Sequence, residues 1–352
     1  STPIIYLVCG IMIINDNMQI GGLMAILTYS TTMLSYFQNV IYAVEGINDF
    51  LVPARRIKEF LNLNEEDLIC KNIVTPDYKK IEFKNVNIKF DNQIVLENIN
   101  FAINEGENIY LVGSNGSGKS VLTKLLLGFI SYEGSILIDD VELRDLHKTK
   151  LRENIGLCFQ TPYIFSDTIK NNIDCYENKN IDKIKDICKI CELDKEIQSF
   201  ANNYDELLGE RGINLSGGQK RRVAIAGILA MNPDILILDE PTAGLDPQGA
   251  KEMLNLFQKI NQQGKTVILV SHDMNQVLEY CDDVVVMNKG RVEKHVTVDE
   301  LFRETEYLTS LSIDLPMITS FILELNANGY HIDPSLKDIN QLIEEIGGQI
   351  NE

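Results

Sequence analysis

The sequence predicts an α/β fold: a mostly parallel sheet covered by helices on both sides, preceded by an apolar helical fragment and followed by a small, mostly helical appendage. Three observations predict it. A short apolar run at residues 108–112 leads into a glycine-rich turn and then a helical pattern. Further apolar runs at residues 235–238 and 266–270 alternate with helical stretches, as strands buried on both faces of a parallel sheet do. The chain up to residue 44 carries a single charge, Asp16.

The apolar beginning has two parts. Residues 4–14 are too short to cross a bilayer, which takes roughly 20 apolar residues; residues 20–44 are long enough with some tilt. The second part carries Thr28, Ser30, Thr31, Thr32, Ser35, Gln38 and Asn39, which suit packing against other helices or lining a pathway. The competing reading is a buried hairpin of a soluble domain. Arg55, Arg56 and Lys58 follow, which places that end in the cytoplasm by the positive-inside rule and makes residues 15–19 a short external turn. The first part reads as the tail of a longer helix, and it lacks the basic start and small-residue cleavage site of a secretory signal. Residues 61–78 are polar, contain Pro76, and read as a linker. Residues 81–83 and 86–90 then alternate as strands, and residues 119–129 form a helix after the glycine-rich turn. The sheet region ends near Val296.

The net charge is −19 with no basic stripe, which argues against a nucleic-acid partner. Seven scattered cysteines fit a reducing compartment better than a disulfide framework. Cys188 and Cys191 form a CxxC, but no second pair or histidine pair accompanies it, so packing within a helix at residues 184–192 is expected rather than zinc or redox chemistry.

The chemistry begins with Gly113, Ser114, Asn115, Gly116, Ser117, Gly118, Lys119 and Ser120, a full GxxxxGK[ST] pattern between strand and helix. Glycines at these positions let backbone N–H groups turn inward around phosphate oxygens, and the helix end adds its positive dipole. Lys119 then reaches the β/γ phosphates of ATP and the Ser120 hydroxyl ligates Mg²⁺. The apolar run at residues 235–238 ends in Asp239 and Glu240, at the strand end where an open α/β sheet places its ligands. Asp239 suits the Mg²⁺ shell and Glu240 the abstraction of a proton from an attacking water. Ser216, Gly217, Gly218 and Gln219 precede a helix at about residues 220–230; alone they read as a helix cap, and beside the other motifs as a second anion site.

Together these motifs closely resemble the ATP-binding cassette family over residues 80–296. The resemblance implies a P-loop NTPase cassette with a helical subdomain, and it carries further roles. Phe90 resembles the aromatic that stacks on adenine, with a core aromatic as the alternative. Gln160 resembles the glutamine that touches Mg²⁺ and senses the membrane partner. Residues 215–219 resemble the signature that contacts the γ-phosphate held by a second cassette. Asp246 lies in a segment that resembles the loop after the catalytic glutamate, and His272 resembles the switch histidine at the γ-phosphate. Glu240, His272 and Gln160 are thus the expected catalytic residues, and Ser120, Gln160 and Asp239 the Mg²⁺ ligands. The implied assembly is a homo- or heterodimer of cassettes with two ATP molecules between them, joined to transmembrane subunits or helices.

The domains expected are a transmembrane helical fragment (1–52), a cytoplasmic linker (53–79), a nucleotide-binding domain (80–295) and a helical appendage (296–352). The cassette would lie on the cytoplasmic side of the cell membrane. Residues 1–212 resemble a fused exporter half-transporter, on residues 159–173 and 209–214 among others. Residues 213–352 resemble the ATPase of an energy-coupling-factor importer, on residues 222–231 and 240–247. Efflux is slightly favoured, vitamin or metal-ion uptake is the alternative, and a soluble cassette ATPase without transport is the reading from another class.

Overall fold

The computed structural model describes residues 2–15, 17–63, 76–90, 93–175 and 180–350. Asp16 and residues 64–75 of the expected linker lie outside the described residues. The chain divides into two compact units between residues 67 and 68.

The first unit holds two helices that touch each other, α1 (Thr2–Ile14) and α2 (Ile20–Leu61). Among the described residues α2 alone is long and apolar enough to cross a membrane. It runs on through Pro53 and the basic cluster, so residues 53–61 of the expected linker are helical. Its hydroxyls are satisfied within the helix: Thr28 donates to the Met24 carbonyl at 2.9 Å, Thr32 to Thr28 at 2.8 Å and Ser35 to Thr32 at 2.7 Å. Self-satisfied hydroxyls remove the cost of placing them in an apolar medium. Around them Met24, Tyr29, Met33, Leu34, Tyr36, Phe37, Val40 and Ile41 are exposed.

The second unit contains two sheets. β1 (Lys80–Phe90) and β2 (Gln93–Asn104) form an antiparallel hairpin, joined by β4 (Glu133–Ile138) and β5 (Val141–Glu142) in the order β2-β1-β4-β5. The two runs expected at residues 81–83 and 86–90 are one strand, because Asn85 (φ +49°) absorbs a register shift between Phe83 and Val86 instead of ending it. The larger sheet has the order β10-β9-β3-β8-β7-β6, with β6 (Ile155–Cys158), β7 (Ile235–Asp239), β8 (Thr266–Val270), β3 (Asn108–Val112) and β9 (Asp283–Asn288) parallel and β10 (Arg291–Thr297) an antiparallel edge.

Period-two side-chain alternation divides this sheet between two cores. Tyr110, Val112, Leu236, Leu238, Val267, Leu269, Val284 and Val286 face one; Ile109, Leu111, Ile235, Ile237, Ile268, Val270, Val285 and Met287 face the other. Both faces are covered, as the unbroken apolar runs require. The helices are α3 (Lys119–Leu126), α4 (Lys148–Asn154), α5 (Ile169–Asp174), α6 (Ile181–Ile190), α7 (Asp194–Ser199), α8 (Gly217–Ala230), α9 (Pro247–Gln262) and α10 (Met274–Tyr280). The pairings Leu111–Val270 and Asp239–Val270 bring the carboxyl ends of β3, β7 and β8 to one edge of the sheet.

The C-terminal helices do not behave as one piece. From α11 (Val298–Arg303) and α12 (Thr305–Ser310), the side chains of Val298, Leu301, Phe302 and Leu308 enter the cassette core. Past them, α13 (Met317–Ala327) and α14 (Ile339–Ile350) close over a separate small cluster of Ile322, Ile332 and Leu342.

Candidate nucleotide site

The turn after β3 is shaped by close approaches that exclude side chains. Gly113 has φ +147°, and a Cβ there would lie 2.0 Å from the Met287 carbonyl oxygen. Gly118 has φ +102°, and a Cβ there would lie 2.5 Å from Leu96 Cδ2. Both positions therefore require glycine. The turn is also tied to the neighbouring strands: Gly290 N–H donates to the Ser117 carbonyl at 3.1 Å, and Glu97 N–H donates to the Gly290 carbonyl at 2.8 Å.

Gly118 is the N-cap of α3 and supplies no side-chain cap to the helix end. The Ser117 Oγ is buried and has no hydrogen-bond partner. An open helix end and an orphaned buried hydroxyl fit an anion at this position. Lys119 is buried and folds into the loop, donating to the Gly113 carbonyl at 2.7 Å and the Ser114 carbonyl at 3.1 Å. Burial pulls its ammonium below the ordinary lysine range, and the nearby Glu240 and Asp239 oppose that shift.

Residues 115–121 line a cleft of about 350 Å³ together with Val95, Gln160, Asp239, Glu240 and Val270. Ser120, Gln160 and Asp239, predicted from distant parts of the sequence, thus share one space. Their donors are a hydroxyl, an amide carbonyl and one carboxylate, hard oxygens of the kind that hold Mg²⁺ alongside phosphates. Asp239 is buried at the end of β7. Glu240 follows with φ +50°, a left-handed conformation that costs a non-glycine residue about 1–3 kcal/mol and that clusters at functional sites. Its N–H donates to the Val270 carbonyl at 2.9 Å, and its Oε1 lies 2.7 Å from His272 Nδ1. The Glu240 side chain is 13% exposed and that of His272 68%, so the pair spans from cleft wall to surface. Glu240 also borders a second, adjoining cleft lined by Ala243, Leu245 and His272.

The signature residues stand apart. Ser216 caps α8: its Oγ accepts from Gln219 N–H at 3.2 Å, and the Gln219 side chain accepts from Ser216 N–H at 2.9 Å. Among the described residues none of Ser216, Gly217, Gly218 and Gln219 lines either cleft. Asp246 stands at the N-cap position of α9 ahead of Pro247, without a side-chain hydrogen bond to the helix end. Phe90 is 47% exposed at the far end of β1 and lines no part of the phosphate cleft, whereas Val95 does.

Sequence reasoning missed Arg221. It sits in the basic run 220–222, which reads as a solvated helix face, yet it is 6% exposed. Its Nη2 donates to the Gln160 carbonyl at 3.0 Å and its Nη1 to the Ala243 carbonyl. The CxxC behaves as packing: Cys188 and Cys191 are buried, and burial pushes their thiols up to about 11 and about 12. Among the described residues no group of three or more His, Cys, Asp or Glu side chains is placed to hold a metal ion.

Known proteins resemble this chain at the level of family, of sequence relatives and of solved structure. A family model described as "ABC transporter" matches residues 96–243, and one described as "AAA domain, putative AbiEii toxin, Type IV TA system" matches residues 213–279. The energy-coupling factor transporter ATP-binding protein EcfA2 of Clostridium perfringens is 38% identical over 262 residues, covering 72% of this chain and 90% of its own length. EcfA3 of Oenococcus oeni is 34% identical over 282 residues, 77% of this chain and 97% of its own. Both matches are longer than the segment from Ile213 to the C-terminus, so likeness to these relatives crosses the point where the sequence changes character. Among solved structures, a bacterial Atm1-family ABC exporter with ATP bound superposes with a TM-score of 0.68 at 26% identity, over 84% of this chain and 53% of that one.

Proposed function

This chain belongs to the ABC transporter ATPase family, and from that premise we propose that it hydrolyses Mg-ATP between two cassettes and drives substrate outward across a membrane. The observation that carries the catalytic part is the shared cleft: the phosphate loop, Gln160, Asp239 and Glu240 line one space with an open helix end.

Each residue has a task there. The N–H groups at the start of α3 and the Lys119 ammonium bind phosphate oxygens, for which Lys119 must leave the Gly113 and Ser114 carbonyls it now contacts. Mg²⁺, when bound, neutralises charge developing on the transferred phosphoryl group. Ser120, Asp239 and Gln160 would hold it. Glu240 accepts the proton of the attacking water, and His272 orients the Glu240 carboxylate through its 2.7 Å contact. The signature at the head of α8 lies outside this cleft, which supports a second cassette as the source of the phosphate it meets. A Cβ at Gly217 would touch nothing within 4 Å, so the approach from that side is open.

Efflux is supported by the apolar α2 in the same chain and by the exporter likeness, whose 84% share exceeds residues 80–352 and so takes in part of the helical unit. The cassette then lies on the cytoplasmic side, after the basic end of α2. Phe159, Tyr163 and Phe165 stand exposed just around Gln160 and suit a membrane partner. Uptake is the second reading, favoured by the identity to the energy-coupling-factor ATPases.

ATP hydrolysis by the full chain in detergent tests the core of this reading. Glu240→Gln is expected to lower kcat by about 10²–10⁴-fold while ATP still binds; turnover within tenfold of the parent would sink the assignment. Direction is read by which membrane protein stimulates that ATPase on co-reconstitution: an exporter half supports efflux, an energy-coupling-factor membrane subunit supports uptake.

A further inference from the structure

Arg221 and Arg222 are neighbours on α8 with opposite surroundings. Arg222 is paired with two carboxylates, Glu196 at 2.7 Å on α7 and Glu252 at 3.2 Å on α9. Arg221 is more deeply buried and, among the described residues, no carboxylate lies within ion-pair distance of it. Its Nε has no hydrogen-bond partner. Burying an unpaired cation is costly, so a hydrophobic residue would serve packing better. What the guanidinium does instead is specific. One arm donates to the Gln160 carbonyl and the other to the Ala243 carbonyl. Gln160 belongs to the loop after β6. Ala243 closes the turn that begins at Glu240, since Ala243 N–H donates to the Glu240 carbonyl at 3.2 Å.

A planar two-armed donor fixes the spacing of the two acceptors it bridges, which a flexible ammonium does not. Glu240 needs such help, because a left-handed glutamate persists only where its surroundings over-determine it. We infer that Arg221 is a positioning residue: it clamps the Gln160 loop to the Glu240 turn and ties both to the head of α8, so that water activation in this cleft follows the setting of the signature helix. This rests on the hydrolytic reading above and adds a residue that lines neither cleft.

The test is steady-state ATPase kinetics of the full chain, with Arg221→Met, Arg221→Lys and Arg222→Met. Rates are counted per nucleotide bound, and thermal midpoints are recorded for each. Misplacing a catalytic group by about 1 Å costs about 100-fold, so Arg221→Met is expected to lose about that much in kcat while KM for ATP moves by less than about threefold. Arg221→Lys keeps one of the two hydrogen bonds and is expected to recover about tenfold of the loss. Arg222→Met is expected to lower the thermal midpoint but to keep kcat per site within about threefold, since its partners lie on helices and not on the site loops. A folded Arg221→Lys with parental kcat overturns the inference, as does a loss confined to KM. If Arg221→Met does not fold, Arg221→Lys decides; failure of both to fold makes the residue structural and also overturns it. If the parent chain shows no ATPase that Glu240→Gln abolishes, the hydrolytic reading has failed instead.

Discussion

The heads of α3 and α8 are both glycine-rich helix starts next to predicted phosphate contacts, and they are built in opposite ways. α3 begins at Gly118, a left-handed residue with no side chain to cap the helix, beside a Ser117 hydroxyl that is buried without a partner. α8 begins at Ser216 with a reciprocal capping box, so the N–H groups of Ser216 and Gln219 are satisfied before any ligand arrives. An uncapped end leaves all its first backbone N–H groups for an anion, whereas a capped end has fewer of them to offer. The difference teaches which end offers more free donors. Under the proposed two-cassette reading, the head of α3 takes phosphate within a single chain, and the head of α8 meets phosphate held by a second.

The sharpest way to break this contrast is to measure nucleotide binding in dilute chain. Lys119→Ala removes a charge-assisted contact, worth about 1.5–3 kcal/mol, and is expected to weaken ATP binding by about 10–150-fold. The contrast requires Ser216→Ala to leave that affinity within about twofold, because its donors are not in the same cleft. Equal losses from the two changes, by calorimetry at micromolar protein, would show one shared site. Ser216→Ala has its own smaller effect: loss of the N-cap is expected to lower unfolding free energy by about 1 kcal/mol, read from denaturant midpoints. Lys119→Ala should not lower it, since the burial that depresses this ammonium is a cost to the apo fold.

The smallest effect is in pH. The folded-state pKa of Lys119 is lowered, so it gives up its proton at a lower pH than in the unfolded chain. The unfolded state then binds more protons, and this group's contribution to apo stability rises as pH climbs through the lowered value toward 10.5. ATP affinity moves the other way, falling over the same interval as the ammonium is lost. The buried thiols oppose the stability trend. With Cys158 and Cys191 pushed up to about 12 from 9.0, stability is fully present below pH 9 and is lost between 9 and 12. Binding, and not melting, therefore isolates Lys119; an affinity flat up to pH 10.5, measured while the fold persists, would remove the charge from the account.

How far the sequence could be read follows the range of the forces involved. The strand ends at Val112 and Val270 and the start of α3 at Lys119 fall where the apolar runs and glycines predict, because local pattern decides them. So does Asp239 at the end of β7, one residue beyond the apolar run. The bulged β1 was not legible: Asn85 reads as a break, and only pairing with β2 and β4 on either side carries the strand across it. The division of the C-terminal helices was equally hidden, since Phe302 and Ile322 look alike until one meets the main core and the other does not. Arg221 is the clearest miss. Within Lys220, Arg221 and Arg222 nothing local marks which cation turns inward, and the two carbonyls that receive it lie 61 and 22 residues away.

The Gly113 turn has a consequence for the order in which this chain is made. The carbonyl that presses on Gly113 belongs to Met287, and the N–H that holds Ser117 belongs to Gly290. A ribosome has therefore finished the whole GxxxxGK[ST] stretch long before the wall that moulds it has emerged. Until then the motif is present as letters but not as a shape. The wall that moulds the turn is complete only when β9 closes beside β3.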